Sequence, residues 1–250
     1  MTMKKIGIVG GVAWPSTVVY YSELCRRGEQ RHLAHNLDGA PSTPEITIES
    51  LDLNKTLAYL GTDDDEASWS RFDNYHRTAL QRLEACGAEV ALIASNAPHH
   101  RFEAIVRGIG IPVISILDAA ARECARIGAR QVLLLGTALI MKSVRFHEGF
   151  AEYGIQAAGP RDDAARVMTA ELIKELQRGR PAGATERLGR IAKASFASQF
   201  SGHPVVCLAC TELPLAFDEF KTLATFDYGG VSYINTTAAH INAVFDFAVA

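Results

Sequence analysis

Long apolar runs are missing from this chain. Its longest, such as Val132–Gly136, are strand-sized, far short of the roughly 20 residues that span a bilayer. No membrane partner is expected. There is no excess of basic charge either: 25 Lys and Arg stand against 28 Asp and Glu, for a net charge of −3. With no basic patch, nucleic acid is not a favoured partner. Neither the dinucleotide fingerprint G-x-G-x-x-G nor the phosphate loop G-x-x-x-x-G-K-[ST] occurs. The opening Met1-Thr2-Met3-Lys4-Lys5 leads straight into a strand pattern without the features of a signal peptide, so a cytoplasmic location is expected. Cysteine is scarce and odd in number: Cys25, Cys86, Cys124, Cys207 and Cys210. That argues against a disulfide framework. Aromatic residues make up 8% and do not cluster along the sequence, which offers no sign of a dedicated protein-binding surface.

What the chain does have is regular alternation. Its 250 residues, 48% of them hydrophobic, suffice for one large core or two small ones. Short apolar runs rich in β-branched residues read as strands: Ile6–Val9, Glu45–Leu51, Glu89–Ser95, Pro112–Ile116, Val132–Gly136 and Pro204–Cys210. Longer amphipathic stretches read as helices over Ser16–Arg31, Ala67–Cys86, Asp118–Ile127, Lys142–Tyr153, Ala164–Gln177, Ala184–Phe200 and Thr237–Val249. Strands alternating with helices predict an α/β fold with mostly parallel sheets. Ligands of such sheets bind beyond the carboxyl ends of the strands.

Two short internal echoes suggest duplication. Ala94-Ser95-Asn96 parallels Ala209-Cys210-Thr211, and the turn Gly10–Ser16 parallels Gly136–Ser143. The expectation is two similar α/β domains, residues 1–112 with 225–250 and residues 113–224. A duplicated fold with a site between its halves would place Ser95 and Cys210 on opposite walls.

The turn Gly10-Gly11 comes directly after the first strand. The plainer reading is a tight turn with positive φ. The functional reading is close approach of backbone N–H groups to a substrate carboxylate. Ser16 and Thr17 fit helix N-caps, where anions are attracted. Both readings can hold together.

The most informative stretch is Pro204-Val205-Val206-Cys207-Leu208-Ala209-Cys210-Thr211-Glu212-Leu213. Its C-x-x-C spacing invites a zinc or redox reading. Zinc needs further ligands, and no second Cys pair or close His pair lies nearby. A redox pair belongs at a helix N-terminus rather than along an apolar strand. Cys207 is expected to be buried, and Cys210 to end the strand. A helix starting there would lower the thiol pKa. Alternatively, Cys210 merely fills a pocket.

Cys210-Thr211-Glu212 resembles the second signature of the aspartate/glutamate racemase superfamily. Ala94-Ser95-Asn96-Ala97-Pro98-His99 corresponds to the first signature, a Cys near N-T-x-H. Gly10-Gly11-Val12-Ala13-Trp14-Pro15-Ser16-Thr17 resembles the family's start, Leu135-Gly136-Thr137 its mid-chain strand end, and Asn235-Thr236-Thr237-Ala238-Ala239-His240 its closing D-T-x-x-x-H. The matches keep their order over nearly the whole chain.

The resemblance implies an active site in the interdomain cleft and racemisation without pyridoxal phosphate, other cofactor or metal, in an enzyme that is often dimeric, so a homodimer is expected. Two opposed groups work on the α-carbon, one as base and one as acid, a task suited to thiols. Here the first thiol is replaced by the hydroxyl of Ser95, as in a branch with a hydroxyl residue opposite a single Cys. The expected catalytic pair is Cys210 and Ser95. Serine is a poor base without an activating partner, and a Ser after an apolar strand is often only a cap. The family's Thr after Asn is Ala97, and His99 either orients the site or caps a helix. Expected substrate contacts are Val12, Thr17, Asn96, Ala97, Thr137, Arg166 and Thr211. A side-chain carboxylate calls for Arg or Lys. Asp52-Leu53-Asn54 lacks one, which leaves Arg166, with Lys142 a further candidate. L-aspartate or L-glutamate is the first expectation. A single-Cys decarboxylase of arylmalonate type, a maleate-type cis-trans isomerase and a silent carboxylate-binding protein stay open beside it.

Overall fold

The computed structural model describes residues 3–35, 39–62, 65–179 and 182–250. The chain forms two compact units, Met1–Ser115 with Ile241–Ala250, and Ile116–His240.

The first unit contains β1 (Ile6–Gly10), α1 (Trp14–Ala34), β2 (Ile46–Ser50), α2 (Leu53–Ala58), α3 (Ser70–Ala85), β3 (Val90–Ile93), α4 (Phe102–Val106) and β4 (Val113–Ile114), with short 3-10 turns over Glu66–Trp69 and Ala97–Arg101. Its sheet is wholly parallel in the order β2-β1-β3-β4. β1 and β3 are buried along their whole length, as expected of central strands covered on both faces.

The second unit contains α5 (Ile116–Arg126), β5 (Gln131–Gly136), α6 (Ala138–Lys142), α7 (Val144–Ala151), β6 (Gln156–Ala158), α8 (Asp163–Gln177), α9 (Ala184–Ala197), β7 (Val205–Ala209), β8 (Thr225–Tyr228), β9 (Val231–Asn235) and the start of α10 (Thr236–Val249). A 3-10 turn covers Leu213–Ala216. Its sheet runs β6-β5-β7-β9-β8, with β8 antiparallel. One face packs on α8 and α9 through Leu133, Leu135, Val206, Leu208 and Tyr233. The other packs on α5 and α7 through Val132, Leu134, Cys207 and Ile234. This odd–even division is the pleat of buried strands.

Residues 225–240 fall in this second unit rather than with the first. Gly229 and Gly230 both take positive φ, 58° and 78°, and join β8 to β9 in a two-residue hairpin of the kind that requires left-handed residues. β9 then pairs parallel to β7, which fixes the stretch to this sheet. Only from Ile241 does α10 belong to the first unit, where Ile241, Val244, Phe245 and Ala248 join Ile6, Ile8, Val90 and Leu92. Their helical spacing is that of one buried face. The hairpin also gathers aromatics that are dispersed in sequence: Phe217 and Phe226 have ring centroids 4.9 Å apart, and Phe226 stacks on Tyr233 at 5.3 Å.

Among the described residues, no helix is long and apolar enough to cross a membrane.

Candidate active site

In the first unit, the candidate residues gather at the carboxyl ends of the neighbouring strands β1 and β3. Gly11 has φ 84°, and a Cβ there would lie 2.2 Å from the Leu51 carbonyl oxygen. A Cβ on Gly10 would lie 2.5 Å from Thr17 Cγ2. The turn therefore needs both glycines for its own packing. The Gly11 N–H donates to Thr17 Oγ1 at 2.9 Å, so this amide is already engaged, contrary to its expected role toward a ligand. Ser16 and Thr17 do not cap α1. The helix begins earlier, with Ala13 as N-cap and a Pro in its first turn, a position that Pro favours because its φ is preset and its missing N–H is not needed. Thr17 nonetheless keeps a hydroxyl hydrogen to donate. Val12 is half-buried in the same turn.

Ser95 lies just past β3 and is 8% exposed, and Asn96 is 4% exposed. The 3-10 turn after them is capped by no side chain, so Ser95 does not act as the expected helix cap. His99, fully buried, places Nδ1 2.9 Å from the Ser95 carbonyl oxygen. A carbonyl only accepts, so Nδ1 carries the hydrogen. Its ring stacks on Phe102 with planes 8° apart. His99 thus braces the backbone that presents Ser95. Behind it, Arg101 joins Glu66 and Asp73 and lies over the Trp69 ring, tying this turn to α3. Ala97 is half-buried and supplies only backbone polarity.

In the second unit, three parallel strands end side by side. Gly136 pairs with Ala209 and Leu208 with Asn235. Continuing the β5–β7 register by one residue sets Thr137 level with Cys210 at the carboxyl edge, while the chain after Asn235 turns directly into α10. Cys210 is 6% exposed and sits on the α8/α9 face of the sheet. Cys207, three residues earlier, faces the opposite side. The odd offset separates the two sulfurs across the sheet, so the C-x-x-C spacing makes neither a metal pair nor a redox pair.

The Cys210 thiol donates to Glu212 Oε2 across 2.8 Å. The Thr211 hydroxyl donates to the same oxygen at 3.2 Å, and Gln177 Nε2 donates to Oε1 at 3.2 Å. Burial, with the charge and hydrogen bond of Glu212 as lesser causes, pushes the Cys210 thiol well above its ordinary range. The backbone N–H groups of Thr211 and Glu212 act the other way, but they do not prevail. This reverses the expected lowering by a helix N-terminus. After Cys210 the chain makes a turn and then the four-residue 3-10 segment Leu213–Ala216, too short to build a macrodipole. The resting sulfur is a thiol held by a carboxylate.

Arg166 sits on α8, where its guanidinium pairs with Asp163 and donates to the Pro160 carbonyl. It is committed to the start of its own helix. Lys142 is exposed at the end of α6. Asp52 caps α2 through the Asn54 and Lys55 amides. Two features have no role that the sequence pattern alone assigns: the Glu212 partnership and the stacking of His99 on Phe102. The first was legible as an acid two residues beyond a strand-end thiol.

The fold and strand ends define a class: two α/β units with mostly parallel sheets and, in the second, a buried, carboxylate-held thiol at the carboxyl edge of a central strand. The family model for Asp/Glu/hydantoin racemases matches residues 9–244. The chain belongs to that family. It is similar over 99% of its length to an aspartate racemase homologue from Pyrococcus horikoshii OT3, covering 100% of that chain at 27% identity and a TM-score of 0.76. The aspartate racemase of Picrophilus torridus matches over 98% of this chain and 94% of its own, at 20% identity and a TM-score of 0.70. The glutamate racemase of Campylobacter jejuni matches over 97% and 85%, at 17% identity and a TM-score of 0.63. The last two likenesses are ones of fold.

Proposed function

We propose that this protein is a cofactor-independent amino acid racemase, with Cys210 as the group that takes and gives the α-proton and an acidic amino acid, L-aspartate or L-glutamate, as substrate. The observation that carries this reading is the Cys210–Glu212 pair at the end of β7. A thiol with a carboxylate at hydrogen-bond distance has a built-in proton acceptor. The thiol proton passes to Glu212, and the thiolate so formed lies against the N–H groups of Thr211 and Glu212. It then removes the α-hydrogen from one face of the substrate. Ser95 returns a proton to the other face, with His99 holding its backbone. The serine hydroxyl is refilled from solvent, and Glu212 gives up its proton, so the cycle closes.

A hydroxyl is a weak base without an activating partner, so the two directions are unequal. The test is the initial rate of chiral conversion starting from pure L and from pure D aspartate and glutamate. The equilibrium constant between enantiomers is one, so kcat/KM is equal in the two directions. The proposal expects the asymmetry in kcat at saturating substrate, by about a hundredfold or more and offset by KM, in line with the usual contribution of a positioned base. Equal kcat values from L and D at saturation contradict the single-base mechanism, and no conversion either way contradicts the racemase reading.

A second reading draws on the protonated resting state of Cys210. A thiol poised as an acid also suits protonation of a carbanion left by decarboxylation. Release of CO₂ from a malonate-type substrate, without α-proton exchange in amino acids, would select it.

A further inference from the structure

The helices α8 and α9 lie side by side and run in opposite directions. Arg187 on α9 pairs with Glu175 near the end of α8. At the other end, Gln199, just past α9, donates to the Gly159 carbonyl before α8 at 3.1 Å. Between these two ties the helices leave a groove of about 350 Å³, within the roughly 300–1,000 Å³ of small-molecule sites. Its floor is apolar, built from Ala165 and Met168 of α8 and Ile191 and Ala194 of α9. Ile191 is 4% exposed, whereas Met168 is 44% exposed. A flexible thioether at the rim of such a floor adapts to what it covers.

Charges of opposite sign mark the two ends. Arg190 on α9 and Asp162, the N-cap of α8, line the same groove. The two ties set Asp162 level with the end of α9, about eight residues and so about 12 Å along the helix axis from Arg190. Arg166 and Arg187 on the same helices pair with Asp163 and Glu175, but Arg190 forms no ion pair among the described residues. Asp162 uses Oδ1 to accept from the Ala164 N–H at 3.0 Å. A carboxylate has two acceptor oxygens, so Oδ2 can take a second donor.

This pattern suits a molecule with a carboxylate at one end, an ammonium at the other and an apolar body between them. A single amino acid carries both charges on one carbon and does not span the groove. A peptide of two or three residues, at up to about 3.3–3.6 Å per residue, bridges the gap together with the long Arg190 side chain.

We propose that the α8/α9 groove binds a short apolar peptide with free termini, its carboxylate on Arg190, its ammonium on Asp162 and its side chains on Met168 and Ile191. The site stands apart from Cys210. Gln177, which donates to Glu212, ends α8 about 22 Å along the helix from Asp162. The groove therefore does not depend on the racemase reading.

The test is calorimetric titration of the full chain with alanyl-leucyl-alanine, compared with the same peptide acetylated at its N-terminus or amidated at its C-terminus. The free peptide should bind, and blocking either end should weaken binding about fivefold, the upper range for an exposed ion pair. Asp162→Asn, which still caps α8, should remove the effect of acetylation alone. Arg190→Gln should remove the effect of amidation alone. Ala194→Phe, at an exposed position, should fill the groove and abolish binding with an unchanged melting temperature. No binding of the free peptide at millimolar concentration overturns the site. Equal binding of free and blocked peptides overturns the charge contacts, and undiminished binding in Ala194→Phe places the peptide elsewhere. Leucine alone binding as tightly as the tripeptide overturns the span between the charges.

Discussion

Cys210 gives its thiol hydrogen to Glu212 across 2.8 Å, two residues along the same turn, inside a region where both side chains are buried. The acid adds to the burial that keeps the sulfur protonated and also gives its proton somewhere to go. These two effects separate on mutation.

Glu212→Gln removes the negative charge that adds to burial in holding the thiol proton on, so the Cys210 pKa falls by the Glu212 part of its shift while the part due to burial stays. At neutral pH, iodoacetamide should then label Cys210 faster than in wild type, about tenfold for each pKa unit recovered. Turnover should fall by roughly 10²–10⁴, the contribution of a positioned proton acceptor. Slower labelling together with slower turnover would mean that Glu212 only supports the structure.

His76 is fully buried on α3, with Nδ1 2.8 Å from the Phe72 carbonyl and Nε2 unpartnered. Burial lowers its pKa from 6.5 to about 4. The unfolded chain therefore binds this proton below pH 6.5 while the folded chain still refuses it. Stability from this source is complete above about 6.5 and is lost as pH falls toward 4, by up to about 3 kcal/mol. Urea unfolding at a series of pH values should show that slope, and His76→Phe should flatten it. A slope unchanged in the variant would place the acid sensitivity elsewhere.

Tyr233 lies wholly within the core, and its hydroxyl has no partner. Burial raises its pKa to about 12. Tyr233→Phe keeps the ring stack on Phe226 and removes an unsatisfied polar atom. Stability should hold or rise by about 1 kcal/mol. A loss of more than about 1 kcal/mol in thermal or urea unfolding would contradict this.

Gly11→Ala places a methyl group in a positive-φ turn against the Leu51 carbonyl. It should cost at least about 1–2 kcal/mol and disturb the Thr17 contact. Calorimetric melting compares it with wild type, and an unshifted midpoint would show that the turn has room to yield.

The sequence revealed more of the frame than of the chemistry. Six strands were visible because apolar β-branched runs end abruptly at turns. β6 escaped because an edge strand of three residues, Gln156–Ala158, has no periodicity to read. β8 and β9 escaped although Tyr228-Gly229-Gly230-Val231 is a hairpin signal. Missing that signal misplaced residues 225–240. Cys210 was legible as a strand end, but its pKa direction was not. That direction depends on burial and on where the Glu212 carboxylate turns, and spacing encodes neither. Arg166 shows another limit of spacing, which does not reveal that its guanidinium pairs with Asp163 and the Pro160 carbonyl at the start of its own helix.

The most direct test of Cys210 as the proton-transferring group is proton NMR in D₂O, monitoring the α-proton of L-aspartate and L-glutamate with wild type and with Cys210→Ala. The prediction is loss of the α-proton signal with wild type and full retention with the variant, which should melt as wild type does. Exchange that persists without the sulfur would contradict the central claim.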